Sequence, residues 1–232
     1  MASPRRIGSE SSKTRALVLD AAERVMLEGG YAAVTYRSLA EGAGVTPGLV
    51  QYYFPTLDDM FLALLRRRSE HNHDRLLAEL ERRNDEPLRI IWEFSRDETS
   101  AALLTEFMAL ANHRKAIQAA ILEVTEWTRK AQLEALKARW GHYRDSSGGL
   151  SPEALLFLLH MIPKMLQLEE SFGMSAGHEE VLSAVEGRLN EVEPGPKKRS
   201  RGRGAKVTAA PLRARGGRSP GNRGAGPNGS GT

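Results

Sequence analysis

The 232-residue chain contains no cysteine. That excludes a disulfide framework, a thiolate metal site and a cysteine nucleophile, and it fits a reducing cytoplasm. Aromatic residues make up only 6% of the chain. No run approaches the roughly 18 apolar residues that cross a membrane, so no membrane partner is expected. Arg5 and Arg6 stand near the start with no apolar stretch behind them, which does not read as a secretory signal. There is no nucleophile elbow, no phosphate-cradling glycine loop and no zincin spacing, so the chain does not read as an enzyme and no cofactor is expected. Six histidines are present. His71 and His73 are two apart and point to different helix faces, and no carboxylate completes a ligand spacing with the others, so no metal is expected either.

Acidic residues are nearly missing from one region. Residues 193–232 hold ten Lys or Arg against the single acid Glu193, a charge of +9, within a chain of net +4; residues 1–192 therefore carry −5. The basic balance describes the tail, and global charge says nothing of nucleic acid. The same tail holds ten glycines, five prolines and no aromatic residue. Such a composition buries too little apolar surface to offset its ordering entropy, so it reads as disordered.

What is present between Arg15 and Val192 has helical spacing throughout, and no stretch alternates as a strand does. Leu17, Ala21, Val25 and Val18, Ala22, Met26 form one stripe, stopped by Gly29-Gly30. Thr35 caps a short helix through about Ala43, and Gly44 makes a turn. Thr46 caps a third helix with Pro47 at its first position, where the missing N–H costs nothing. That helix ends near Phe54. Thr56 caps a long helix with Asp58 and Asp59 in its first turn, facing the positive end of the dipole. Asp85 and Pro87 open another through about Ser95, and two more follow near 99–112 and 115–141. Residues 145–152 read as a loop or as a break between sub-bundles. The most apolar helix, near 152–172, contains Pro163, which is expected to kink it. A last helix spans about 178–191. The expected fold is all-α: an N-terminal three-helix head and a C-terminal helical bundle, about nine helices in all. The boundaries are a flexible arm at 1–13, a head at 14–56, a bundle at 57–192 and a disordered basic Gly/Pro/Arg-rich tail at 193–232.

The two short helices have the size and punctuation of a helix-turn-helix. Val50 and Phe54 share an inward face, which leaves Thr46, Pro47, Leu49, Gln51, Tyr52 and Tyr53 on other faces. An uncharged helix of this kind suits a major groove, where bases are read by amides, hydroxyls and methyl contacts. Gln51 pairs with adenine or bonds a phosphate; both readings stand. Tyr52 is expected to face outward more than Tyr53. Trp92, Phe107, Met108, Trp127, His160 and Met161 form a candidate effector pocket, since aromatic and methionine side chains adapt to apolar guests. The tail is either a sequence-blind arm on DNA or a passive solvated segment.

The segment RALVLDAAERVMLEGGYAAVTYRSLAEGAGVTPGLVQYYFPTLDDMFLALL resembles the TetR family of bacterial transcriptional regulators. The resemblance lies in a first helix ending Gly-Gly-Tyr, a following Thr, "LAEGAGV", the helix with "YYF", then Pro and a capped acidic turn. It covers roughly residues 13–65. It implies a helix-turn-helix DNA-binding domain at 14–56 and an effector-binding and dimerisation domain at 57–192. It also implies a cytoplasmic, nucleoid-associated homodimer on a palindromic double-stranded operator, released as a repressor by a small apolar or amphipathic effector. The DNA contacts it carries over are Thr35, Tyr36, Arg37, Thr46, Pro47, Gly48, Leu49, Gln51, Tyr52 and Tyr53. Two positions depart from the family: Leu57 stands where a phosphate-reaching lysine is common, and Gln51 where a tyrosine is frequent. The alternative function is a sequence-nonspecific DNA-compacting protein driven by the basic tail.

Overall fold

The computed structural model describes residues 13–145 and 147–194. The N-terminal arm through Ser12 and the tail beyond Pro194 lie outside the described residues. Ten α-helices and one 3-10 turn follow one another, with no strand among the described residues. They are α1 (Lys13–Gly29), α2 (Tyr36–Ala43), α3 (Pro47–Tyr53), α4 (Leu57–Arg82), α5 (Pro87–Ser95), α6 (Glu98–Ala111), α7 (Lys115–Ala138), α8 (Trp140–Tyr143), α9 (Pro152–Ser171) and α10 (His178–Val192). The tenth helix is the short α8. The expected helix near 115–141 ends instead at Ala138, and Arg139 separates it from this extra turn.

The punctuation works as its chemistry demands. Thr56 and Asp59 form a reciprocal capping box: Asp59 N–H donates to Thr56 Oγ1 at 3.1 Å, and Thr56 N–H to Asp59 Oδ2 at 3.0 Å. Asp97 caps α6 through Ser100 N–H at 2.8 Å, and Ser151 caps α9 through Ala154 N–H at 3.2 Å. Pro163 lies inside α9, which runs through it.

Two buried clusters fill the interior. The first joins Val18, Leu19 and Met26 of α1 to Leu39, Val50 and Phe54, and continues through Phe61 and Leu64 of α4 into Phe107 of α6 and Ile117 of α7. The head thus shares its core with the front of the bundle. The second gathers Leu88, Ile91, Trp92, Leu136, Tyr143, Leu156, Leu159 and Leu189 at the other end.

Glu193 corrects the expected tail boundary. It is 3% exposed. Its carboxylate accepts from Leu88 N–H at 3.0 Å, Arg89 N–H at 2.8 Å and the Tyr143 hydroxyl at 2.5 Å. Glu86, the residue before α5, makes no side-chain cap, so an acid 105 residues along the chain from Leu88 satisfies the first amides of that helix. Lys13, expected in the arm, is the first residue of α1.

Candidate functional site

Residues 35–54 build an outward ridge from local contacts. Ser38 N–H donates to Thr35 Oγ1 at 3.0 Å, and Thr35 N–H donates to Ser38 Oγ at 2.9 Å. Gly44 takes the left-handed conformation at φ 67°, which a side chain disfavours, and its N–H closes α2. Gly42 lies against α1, where an added Cβ would sit 3.0 Å from the Ala21 methyl; Arg24 donates to its carbonyl at 2.7 Å. Thr46 accepts from Leu49 N–H, and Pro47 opens α3.

With Val50 and Phe54 inside, the rest of α3 is turned out. Pro47, Gly48, Gln51 and Tyr52 are exposed, while Leu49 and Tyr53 are half-buried. Tyr52 is 46% exposed and meets Tyr53 edge-on at 5.4 Å. Gly48 faces open space: a Cβ there meets nothing within 4 Å. Thr35 and Arg37 are exposed at the start of α2. Tyr36 is half-buried and bonded across to another element. Its hydroxyl already donates to the carbonyls of Pro55 at 2.8 Å and Phe54 at 3.2 Å. Burial and the nearby Asp59 charge push its pKa up. This tyrosine ties α2 to the turn after α3. Leu57 packs against the first cluster, an inward placement that suits leucine.

A cavity of about 230 Å³ opens among α4, α5, α6, α7 and α9. Leu65, Leu76, Phe94, Leu103, Leu104, Phe107 and Val124 supply its apolar wall, and Arg68, Asn72, Arg75, Asp97, Gln132, His160 and Lys164 reach it as polar groups. Of the six expected pocket residues, Phe107 and His160 line it. Trp92 is instead buried in the second cluster, and Met161 is half-buried away from the lining. Met108 is 55% exposed, and Trp127 is 43% exposed and stacks on His73 at 3.5 Å. The cations of the lining are not among the expected residues, because charge argues for solvent. The signal is in the spacing: Leu65, Arg68, Asn72, Arg75 and Leu76 form one stripe of α4. Burial, with Lys164 and Arg129 nearby, pushes the His160 pKa down to about 4. Burial and Arg129 also lower that of Lys164.

The head is bound to the bundle by polar ties as well as by the shared core. Arg67 pairs with Asp20 at 2.7 Å, and Arg68 with Glu23 at 3.5 Å. Arg68 also donates to Ser100 at 3.4 Å. Tyr31 N–H donates to Glu106 on α6 at 2.7 Å, and within the bundle Arg114 pairs with Asp58 at the start of α4. Among the described residues no group of three or more His, Asp or Glu is placed to hold a metal ion, and no helix is long and apolar enough to cross a membrane.

Residues 18–64, the helix-turn-helix and its flanks, match the family described as bacterial regulatory proteins, tetR family. This segment of the chain is similar to the DNA-binding segment of TetR-family regulators. Two curated relatives from Pseudomonas putida, the HTH-type transcriptional regulator TtgR and the probable HTH-type transcriptional regulator ArpR, are each 39% identical over 70 residues. Those matches cover 30% of this chain, and the chain spans a third of the length of each. Solved structures, one of them a TetR-family member, extend the likeness along the chain. A member from Streptomyces coelicolor is 27% identical, with a TM-score of 0.55, over 77% of this chain and 98% of its own. The multidrug binding protein EbrR complexed with imidazole is 25% identical, with a TM-score of 0.53, over 81% and 99%. The TetR-family fold therefore reaches well beyond the helix-turn-helix segment.

Proposed function

We propose that this protein is a sequence-specific DNA-binding repressor of the TetR family that acts as a homodimer and is released by a small molecule in the α4–α9 cavity. The observation that carries the reading is the shape of α3. Its two inward residues are buried in the first cluster, while Gln51, Tyr52, Pro47 and the open backbone at Gly48 form an uncharged ridge with Arg37 beside it. Gln51 and Arg37 hold no hydrogen-bond or ion-pair partner among the described residues. Such a ridge reads base edges through amide and methyl contacts, and the helix start takes a phosphate. Thr35, Thr46, Leu49 and Tyr53 complete the expected contact set apart from Tyr36, whose hydroxyl is bonded within the head.

A single head offers few contacts, so two are needed, about 34–36 Å apart on one face of the duplex. The surface for pairing is on α9 and α10. Phe157, Leu158, Met165, Leu168 and Val181 are exposed there, and Phe172 between the two helices is 70% exposed. An isologous four-helix contact buries such residues. The relative named a multidrug binding protein supports a guest in the cavity.

Selection of genomic fragments by the purified full-length protein tests the reading. The expected outcome is one enriched palindrome bound by a dimer. Binding that is indifferent to sequence and lost on removal of residues 193–232 favours the compacting alternative. On the matched operator, Gln51→Ala should cost about 1–3 kcal/mol and relax one base-pair position. Equal weakening on every sequence places Gln51 on a phosphate instead.

A further inference from the structure

The α4–α9 cavity has an apolar wall and a positive balance. Arg75 and Lys164 both reach it, and neither has an ion-pair partner among the described residues. Arg75 lies over the Phe94 ring, 5.4 Å from its centre. Arg68 shares its charge with Glu23 at 3.5 Å. The lining holds one acid, Asp97, and its carboxylate is engaged by the Ser100 N–H at 2.8 Å. Gln132 is 3% exposed, and its amide makes no hydrogen bond among the described residues. His160 and Lys164, four residues apart, share one face of α9.

These groups discriminate among guests. Both cations keep a solvent-exposed side, yet burial of part of Lys164 beside Arg129 lowers its pKa, a cost that a counter-charge in the cavity relieves. A neutral apolar guest deepens the desolvation and returns nothing to the charge. A cationic guest adds repulsion. A carboxylate meets both cations in charge-assisted hydrogen bonds and accepts from the Gln132 Nε2–H as well, while the unpaired Oε1 is an acceptor that it leaves as it is.

We infer that the effector is an anionic amphiphile, its carboxylate met by Lys164 and Arg75 with Gln132 and His160 as neutral hydrogen-bonding groups, and its carbon body lying against Leu104 and Phe107. This rests on the effector-controlled reading above and names the chemistry of the guest. The volume corresponds to roughly eight waters in the liquid, room for a chain of about eight carbons.

Calorimetric titration of the full-length protein with sodium octanoate, 1-octanol and octylammonium chloride, all below micelle-forming concentrations, tests it. Octanoate is expected to bind at least about tenfold tighter than octanol, with octylammonium weakest. Lys164→Gln and Arg75→Gln should each remove most of the octanoate preference, read as the ratio of octanoate to octanol affinity. Lys164→Met, which keeps the aliphatic stem, should behave as Lys164→Gln does, provided circular dichroism shows both folded. Equal affinity for the three chains, tightest binding by octylammonium, or no binding at all overturns the assignment. The same preparations enter the DNA selection. A protein that selects an operator yet prefers octanol refutes the charge assignment alone, whereas one that selects no DNA refutes the regulator reading whatever it binds.

Discussion

The two ends of this molecule are held by contacts of different range. Around the first cluster, order is written in neighbours: Thr35 with Ser38, Thr46 with Leu49, Thr56 with Asp59, each three residues apart. Around the second, α5 begins without a cap of its own and borrows the carboxylate of Glu193. Tyr143 reports the same dependence, since burial and its bond to Glu193 push its pKa far up. Local punctuation forms with little loop-closure entropy, while a distant acid becomes useful only once the chain between has folded. The outward ridge of α3 therefore rests on short-range order, and the far end of the bundle on the last described turn of the chain.

That contrast is most severely tested at Phe54. Phe54→Ala should cost about 3–5 kcal/mol, because the ring is buried in a cluster that leaves little room to collapse. Urea denaturation should show one transition that moves as a whole, since the head and the front of the bundle share that cluster. A separate early transition for the head would break the picture of a shared core. Glu193→Ala should cost about 2–4 kcal/mol by orphaning the Leu88 and Arg89 amides and the Tyr143 hydroxyl. Hydrogen exchange should speed up at Leu88 and Arg89 and stay slow at Ser38 and Asp59; acceleration at all four would erase the distinction between the ends.

His160 supplies a smaller effect with a defined sign. Its pKa falls from the ordinary 6.5 to about 4, so between those values the unfolded chain takes up a proton that the folded protein refuses. Its contribution is present above pH 6.5 and lost on acidification toward pH 4, by about 2–3 kcal/mol. His160→Gln should flatten that limb of the stability curve; an unchanged limb would assign it to other groups. Gly48→Ala should move stability by less than about 0.5 kcal/mol, because the added methyl meets open space. The same change should weaken operator binding where a backbone or base edge approaches closely. Unaltered binding would place the duplex away from Gly48.

The difference in range also explains what the sequence makes visible. Thr35, Gly44, Thr46-Pro47 and Thr56 are legible because cap and turn chemistry acts within a few residues, and the helix-turn-helix follows from them. The outward ridge is legible once Val50 and Phe54 are assigned inward. The role of the Tyr36 hydroxyl is not, because its acceptors, the carbonyls of Phe54 and Pro55, belong to another helix's end. Glu193 reads as tail because composition changes just after it, while its partners are about a hundred residues earlier. Of the cavity, Phe107 and His160 are marked by apolarity and placement. Arg68, Arg75 and Lys164 escape notice because charge ordinarily marks a solvated face, and only the fold shows α4 and α9 turning their cations toward one space.

Arg68 stands where three neighbourhoods meet. Its guanidinium holds Glu23 on the first helix and Ser100 on the sixth, and the same side chain forms part of the cavity wall. A planar fork has a fixed number of prongs. One prong, the buried Nε–H, holds no partner among the described residues, so a newcomer in the interior can bond a side chain that already grips the first helix and the sixth, and is felt at the helix against which α2 and α3 are packed.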